Sequence, residues 1–178
     1  MNIHLRLFSG LAALAFPLAL TAAESHCQAD TGDTDAATPS SAFSDNGDGT
    51  VTHEETGLTW ARCAVGQEWS NGGCDGRALV FRWEGATQAA EDLNANGGLA
   101  GHEDWRLPTR NELKSIVETC REAPAINTSI FPDTPQTGFW SSTSADERDS
   151  AWFVGFYKGL DYPYRKETGY RVRVVRRD

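Results

Sequence analysis

Four cysteines, Cys27, Cys63, Cys74 and Cys120, are the side chains best equipped for chemistry in this sequence. Thiolates can hold zinc, cycle as a redox pair or close disulfides, and spacing separates these uses. No C-x-x-C pair occurs, which argues against a zinc site built from all four thiolates. The even count reads instead as two disulfides, with three connectivities open. Cys63 and Cys74 bracket the turn-rich stretch AVGQEWSNGG and can close locally, which leaves Cys27 for Cys120. In the chain-entropy model a loop near 15 residues contributes about 3 kcal/mol and one near 100 about 4.7 kcal/mol, so the long bridge is the stronger restraint.

The other reactive groups lack the company that catalysis needs. Beyond residue 23 the histidines are His26, His53 and His102; none stands in H-E-x-x-H, and no G-x-S-x-G elbow occurs. The acid pairs Glu54-Glu55 and Glu103-Asp104 read as solvated turns. Asp45-Asn46-Gly47-Asp48-Gly49 invites a calcium reading, but Gly47 and Gly49 occupy positions where an EF-hand places ligands, so a plain Asp-Gly turn is expected. The expectation is no catalytic residue, no metal and no cofactor. A glycan hydrolase, which would need a cleft with two tuned carboxylates, stands only as the lesser alternative.

Residues 1–23, MNIHLRLFSGLAALAFPLALTAA, have the form of a signal peptide: Arg6, an apolar run from Leu11 to Leu20, then small residues before a cleavage point. The run is too short for a bilayer core of about 30 Å, which takes roughly 20 apolar residues. The mature chain is thus expected to be exported, periplasmic or extracellular, with no transmembrane segment and with conditions that permit disulfides. The formal net charge is −9, and eight acids with no Lys or Arg lie between Glu24 and Trp60. That balance argues against nucleic acid as a partner. From Lys158 to Asp178 seven Lys/Arg face three Asp/Glu, a local excess of +4.

Residues 24–42 read as an acidic segment and solvated linker, and residues 43–178 as one domain holding all six tryptophans. Thr50 to Thr52 and Leu58 to Ala61 read as strands. Trp83, Ala86, Ala90 and Leu93 share one helical face ahead of Gly97-Gly98. In DWRLPTRNEL, residues 104–113, Thr109 to Glu112 forms a capping box. Leu113, Ile116, Val117 and Cys120 then continue at helical spacing. Trp105 and Leu107 alternate inward, with Asp104 and Arg106 free to cross-link on the other side. Phe139 to Ser142 is a strand, AWFVGFYKG alternates Trp152, Val154 and Phe156 against Phe153 and Tyr157, and YRVRVVR sets Val172 and Val174 against Arg171 and Arg173. Early helices followed by late antiparallel strands indicate an α+β fold.

The blocks DNGDGTVTHEETGLTWARCAVGQEW, GHEDWRLPTRNELKSIVE, PAINTSIFP, FWSST, AWFVGFYKG and VRVVR occur in order from about Phe43 to Arg177. Together they resemble the Lcl C-terminal domain family, exported bacterial domains named for a collagen-like adhesin. The resemblance implies a C-type-lectin-like fold in which two helices flank a small antiparallel sheet. It also supports pairing Cys27 with Cys120, because many members carry cysteines at both places. It implies a ligand surface in residues 160–170, LDYPYRKETGY, where this chain departs from an Asn-rich family pattern. Sulfated polysaccharide is the ligand the family name suggests, although the chain is acidic and has no collagen repeat. The formylglycine-generating oxidases of the same broad fold use two late cysteines, and none follows Cys120 here.

The expected function is therefore a lectin-like binding module for a glycan or protein ligand. Asp161, Tyr162, Tyr164, Arg165 and Lys166 are the candidate contacts: tyrosine offers a stacking area with a hydroxyl, and Arg offers forked donors. Residues 144–150, SADERDS, form a second, charged candidate surface. The alternative is an envelope structural or assembly domain, for which the Trp and Tyr content allows a homo-oligomer.

Overall fold

A computed structural model describes residues 36–147 and 149–177. The expected signal peptide, Cys27, His26 and most of the acidic segment lie outside the described residues. Three antiparallel sheets and two helices make an α+β domain. The first sheet joins β1 (Phe43–Asp45), β2 (Thr50–His53), β3 (Leu58–Ala61) and β9 (Val175–Arg177) in that spatial order, so both ends of the domain share one sheet. The second is a ribbon of β4 (Gln67–Ser70) and β5 (Gly73–Gly76). The third runs β6 (Gly138–Ser144), β7 (Ser150–Gly155) and β8 (Leu160–Arg165). Helices α1 (Trp83–Ala95) and α2 (Arg110–Lys114) lie between the second and third sheets in the chain. No helix among the described residues is long and apolar enough to cross a membrane.

The β1–β2 turn shows its acids serving as turn caps instead of a calcium loop. Asp45 Oδ1 accepts the Gly47 N–H at 2.8 Å, while Asp48 Oδ1 accepts the Thr50 N–H at 3.0 Å and its hydroxyl at 2.6 Å. These are side chains mimicking backbone turns. Asp45 also receives Arg62 Nη1 at 2.8 Å. Among the described residues no three His, Cys, Asp or Glu side chains converge on a metal position.

The stretch 104–113 works as a structural clamp. Trp105 and Leu107 are buried, and Asn94 on α1 brackets Trp105 by donating to its carbonyl at 2.8 Å and accepting its N–H at 3.0 Å. Arg106 exchanges backbone bonds with Val175 and forks onto both Glu112 oxygens at 2.8 and 2.7 Å. Asp104 accepts from Arg176 at 2.8 Å. The capping box is complete: Thr109 Oγ1 accepts the Glu112 N–H and Glu112 accepts the Thr109 N–H. With Arg106 as the largest influence and Thr109 adding to it, the Glu112 carboxyl is held down at about 2.

Several expectations need correction. Helix α2 stops at Lys114 instead of running to Cys120. The Ser115 hydroxyl donates to the Glu112 carbonyl at 2.7 Å, and the β-branched pair Ile116-Val117 is buried in an irregular turn. Glu118 then pairs backbone with Ala125 and turns its carboxylate away from any helix surface. The linker expected to run to residue 42 is docked from residue 37: Thr38 is buried on Glu118, and Ser40–Ala42 forms a 3-10 turn. A single small sheet was expected, and three are present. The Cys63–Cys74 disulfide is formed. The second expected bridge rests on Cys27, outside the described residues.

Arg173 also departs from the alternation, which put it on the polar side of the last strand. It is fully buried, because both faces of that segment are covered. Its Nη1 donates to the Ala61 carbonyl at 2.7 Å and to that of Arg62, and Nη2 donates to Thr134 Oγ1 at 2.8 Å. The guanidinium lies 4.8 Å from the Phe131 ring centroid. Burial pushes it down to about 9, so it remains a cation at neutral pH. It staples β3 to the 131–134 loop.

Two apolar clusters flank these elements. One gathers Val51, Leu58, Trp60, Leu113, Ile116, Phe131, Phe139, Val154 and Phe156. The other gathers Ala86, Ala90, Trp105, Leu107, Trp140, Ala151, Val172 and Val174. Phe139 and Trp140 are neighbours in β6 yet enter different clusters, as the two-residue strand period requires. The third sheet is therefore covered on one side by α2 and the first cluster. Its other side passes from the second cluster outward to solvent.

Candidate functional site

That outward side is built by one hairpin. Gly159, with φ 71°, makes the turn, and a Cβ there would lie 2.6 Å from Val117 Cγ1. The register then sets Gly155 against Leu160, Phe153 against Tyr162, and Ala151 against Tyr164. Residues 160–165, expected as part of a loop, are thus the edge strand β8, and alternation divides the candidate contacts between two faces.

Leu160, Tyr162 and Tyr164 project outward and are 49%, 51% and 50% exposed. Their support is aromatic. Phe153 stacks on Tyr170 with centroids 4.3 Å apart and planes at 27°. Tyr162 and Tyr164 each lie 6.2 Å from Phe153. Trp140, buried below, meets Tyr170 edge-on at 4.8 Å and donates its indole N–H to the Phe81 carbonyl. Such edge-to-face and offset contacts each add about 0.5–1.5 kcal/mol beyond area burial. Burial and the neighbouring Tyr164 push the Tyr170 hydroxyl up. Gly155 leaves a gap beside Phe153, and the hollow there, about 190 Å³, is lined by Phe153, Tyr157, Lys158, Leu160 and Tyr162. The Tyr162 and Tyr164 hydroxyls make no hydrogen bond among the described residues.

Asp161 points the other way, to α2. It is held by Arg110 and by Lys114 at 3.0 Å, and the Arg110 guanidinium lies 3.4 Å from the Trp152 ring centroid. Burial opposes its ionisation, but the bonds from Lys114 and Arg110 prevail and keep the carboxyl below the usual range. It positions the hairpin. Arg165 and Lys166 sit at the end of β8 in a shallow charged cleft of about 470 Å³ shared with Arg82, Glu84, Asp149 and Glu167. Lys166 is anchored over the Trp83 ring at 4.1 Å, whereas Arg165 is 78% exposed and only 3.5 Å from equally exposed Glu167. Of the five candidates, the tyrosines share a face, the two cations share a cleft, and Asp161 belongs to neither. Phe153, Tyr157, Leu160 and Tyr170 were not among the candidates. Pairing the 150–155 strand against 160–165 across Lys158-Gly159 would have signalled the first three.

The second charged surface, 144–150, is a tight connection between β6 and β7, in which Ala145 N–H reaches the Ser150 carbonyl and Ser150 N–H the Glu147 carbonyl. Arg148 lies outside the described residues. His53 is buried and stacked 4.8 Å from Phe43, with Nδ1 on Thr56. Burial pushes it down, against the pull of Glu55 and Glu54. The hairpin face can therefore stack planar or ring-shaped groups and offer phenolic hydroxyls at their edges. Comparison with protein families matches the chain to the Lcl C-terminal domain over residues 49–176. No curated protein matches the chain.

Proposed function

The chain belongs to the Lcl C-terminal domain family, and we propose that it acts as an exported, C-type-lectin-like binding module that recognises a glycan through Tyr162 and Tyr164. One observation carries this reading: two half-exposed tyrosines stand on a Phe153–Tyr170 stack that is itself fixed by buried Trp140. Rings held this way lose little conformational freedom on binding, and a sugar's C–H face can lie on them while the free hydroxyls reach its edge. The signal-peptide form of residues 1–23 and the Cys63–Cys74 disulfide support export. On this reading the domain does no chemistry on its ligand.

The test is a glycan array followed by titration, comparing the wild type with the Tyr162→Ala, Tyr164→Ala double variant. Affinity is expected to fall at least tenfold, the size of one modest hot spot, while the variant still folds, losing about 1–3 kcal/mol with its two Phe153 contacts. Equal affinity in both proteins refutes the site. A second reading, self-association in an envelope assembly, is favoured by the gathering of Tyr157, Leu160, Tyr162 and Tyr164 on one hairpin among six exposed large apolar residues. Sedimentation of the same pair of proteins separates the two.

A further inference from the structure

We propose that the cleft between the C-terminal end of α1 and the β4–β5 ribbon is a second binding site, for a small organic cation with an apolar body. It shares no residue with the tyrosine face. It encloses about 460 Å³, inside the range of about 300–1,000 Å³ usual for small-molecule sites. Its floor is apolar, formed by Ala61, Val65, Leu93, Leu99 and Val174, and Trp69 makes one wall.

Backbone approach fixes that shape. A Cβ on Gly49 (φ 87°) would lie 2.8 Å from Trp69 Cβ and Cγ, so the indole seats directly on main chain. At Gly98 (φ 68°) a Cβ would lie 1.8 Å from the His102 carbonyl oxygen, which closes the opposite side. The Arg62 guanidinium lies 4.1 Å from the Trp69 ring centroid, and the Cys63–Cys74 disulfide ties the ribbon to the end of β3. A wall held from several sides is already in place when a ligand arrives, which lowers the entropy lost on binding.

Charge selects the ligand. Among the described residues, the ionisable side chains lining the cleft are the carboxylates of Asp48 and Glu68, with no Lys, Arg or His. Asp48 Oδ1 holds Thr50, but neither carboxylate is ion-paired among the described residues. An ammonium at the rim is drawn by this negative lining, while its hydrocarbon part covers the floor. A carboxylate ligand of the same shape meets two like charges instead.

The test uses phenethylammonium as probe and 3-phenylpropionate as its anionic counterpart, followed by amide chemical shifts of the full mature chain. The cation is expected to move the resonances of Val65 to Trp69 and Leu93 to Leu99, and the anion to leave them in place. Asp48→Asn keeps an acceptor for Thr50, and Glu68→Gln alters an exposed side chain, so both variants are expected to fold. Each should weaken the cation about fivefold, the ordinary size of a partly solvated ion pair, without affecting glycan binding at Tyr162 and Tyr164. Equal binding of the two probes, shifts confined to the tyrosine face, or no shift at millimolar cation overturns the proposal.

Discussion

Removing the Glu118 carboxylate should undo the docking of the N-terminal strap. Glu118 is fully buried and accepts four donors. The Ala37 N–H reaches Oε1 at 3.0 Å, the Thr38 N–H and hydroxyl reach Oε2 at 2.8 and 2.9 Å, and the Cys120 N–H reaches Oε1 at 3.3 Å. Three of these four come from a segment some 80 residues away, and nearby Asn127 adds two bonds to the Thr38 carbonyl and Ser40 Oγ at 3.0 Å each. Hydrogen bonds to a charged group contribute about 1.5–3 kcal/mol apiece, and stripping one partner from a buried charged cluster costs about 3–5 kcal/mol. Undocking the strap limits the loss, because the freed donors then reach water. Glu118→Ala is therefore expected to cost about 3 kcal/mol in urea unfolding followed by tryptophan fluorescence, with exchange protection lost first at Ala37 and Thr38. Glu118→Gln should cost nearly as much, since its amide nitrogen turns a donor toward Thr38 or Ala37. Burial works against the charge, but the Thr38 and Ala37 donors outweigh it and hold the carboxyl below its usual 4.5. A depressed folded value means the stabilisation is whole above the unfolded value and fades as pH falls through the folded one. The gap between wild type and Glu118→Gln should accordingly narrow on acidification. A Glu118→Ala cost below about 1 kcal/mol, or a gap indifferent to pH, refutes the reasoning.

Glu112 offers a second pH test with a defined window. Its carboxyl sits at about 2 against a usual 4.5, so its contribution is complete above 4.5 and lost between 4.5 and 2. Because Arg106 is 41% exposed, solvent screening trims that contribution to about 1–2 kcal/mol. Glu112→Gln should cost that much at neutral pH and almost nothing near pH 2, measured by urea unfolding across the range. Pro163 supplies a third prediction. The Lys166 N–H donates to the Asp149 carbonyl at 2.8 Å, which by alternation makes Trp152 and Pro163 a non-hydrogen-bonded pair and turns the Pro163 nitrogen to the open edge of β8. Pro163→Thr restores an N–H there and should promote concentration-dependent association in light scattering, a result whose absence would show the edge is guarded otherwise.

What could be read from the sequence was local. The capping box spans four residues, and the hairpin of β2 and β3 joins across a short turn, so both appear in residue types alone. The same holds for the α1 face and the inward Trp105 and Leu107. The features missed depend on partners far along the chain. Helix α2 ends at Lys114, and beyond it Glu118 turns to Thr38, a pairing no periodicity encodes. Arg173 alternates with valines as an exposed residue would. Its burial follows from carbonyls at Ala61 and Arg62 and a hydroxyl at Thr134, three points the strand pattern does not contain. The site was half legible. The chemistry of Tyr162 and Tyr164 shows in their residue types, but the strand that separates them from Asp161 and joins them to Phe153 depends on pairing with residues 150–155.

Recognition and stability share one strand, β8. Side chains in β8 alternate with period two, so a slip of one residue would bury the tyrosines and turn Asp161 outward. Two features oppose the slip. Gly159 fits its turn against Val117 with no room for a Cβ, and Asp161 lies between Arg110 and Lys114 under α2. An ion pair that is mostly shielded and received by two cations is sensitive to a displacement of one residue, about 3.3 Å along the strand. The face toward α2 therefore fixes the register most sharply, while the face toward solvent adds only the contacts of Tyr162 and Tyr164 with Phe153. Leu160, Tyr162 and Tyr164 are consequently free to vary in type while the strand keeps its place. A binding surface can change its ligand under that arrangement without the domain losing its fold.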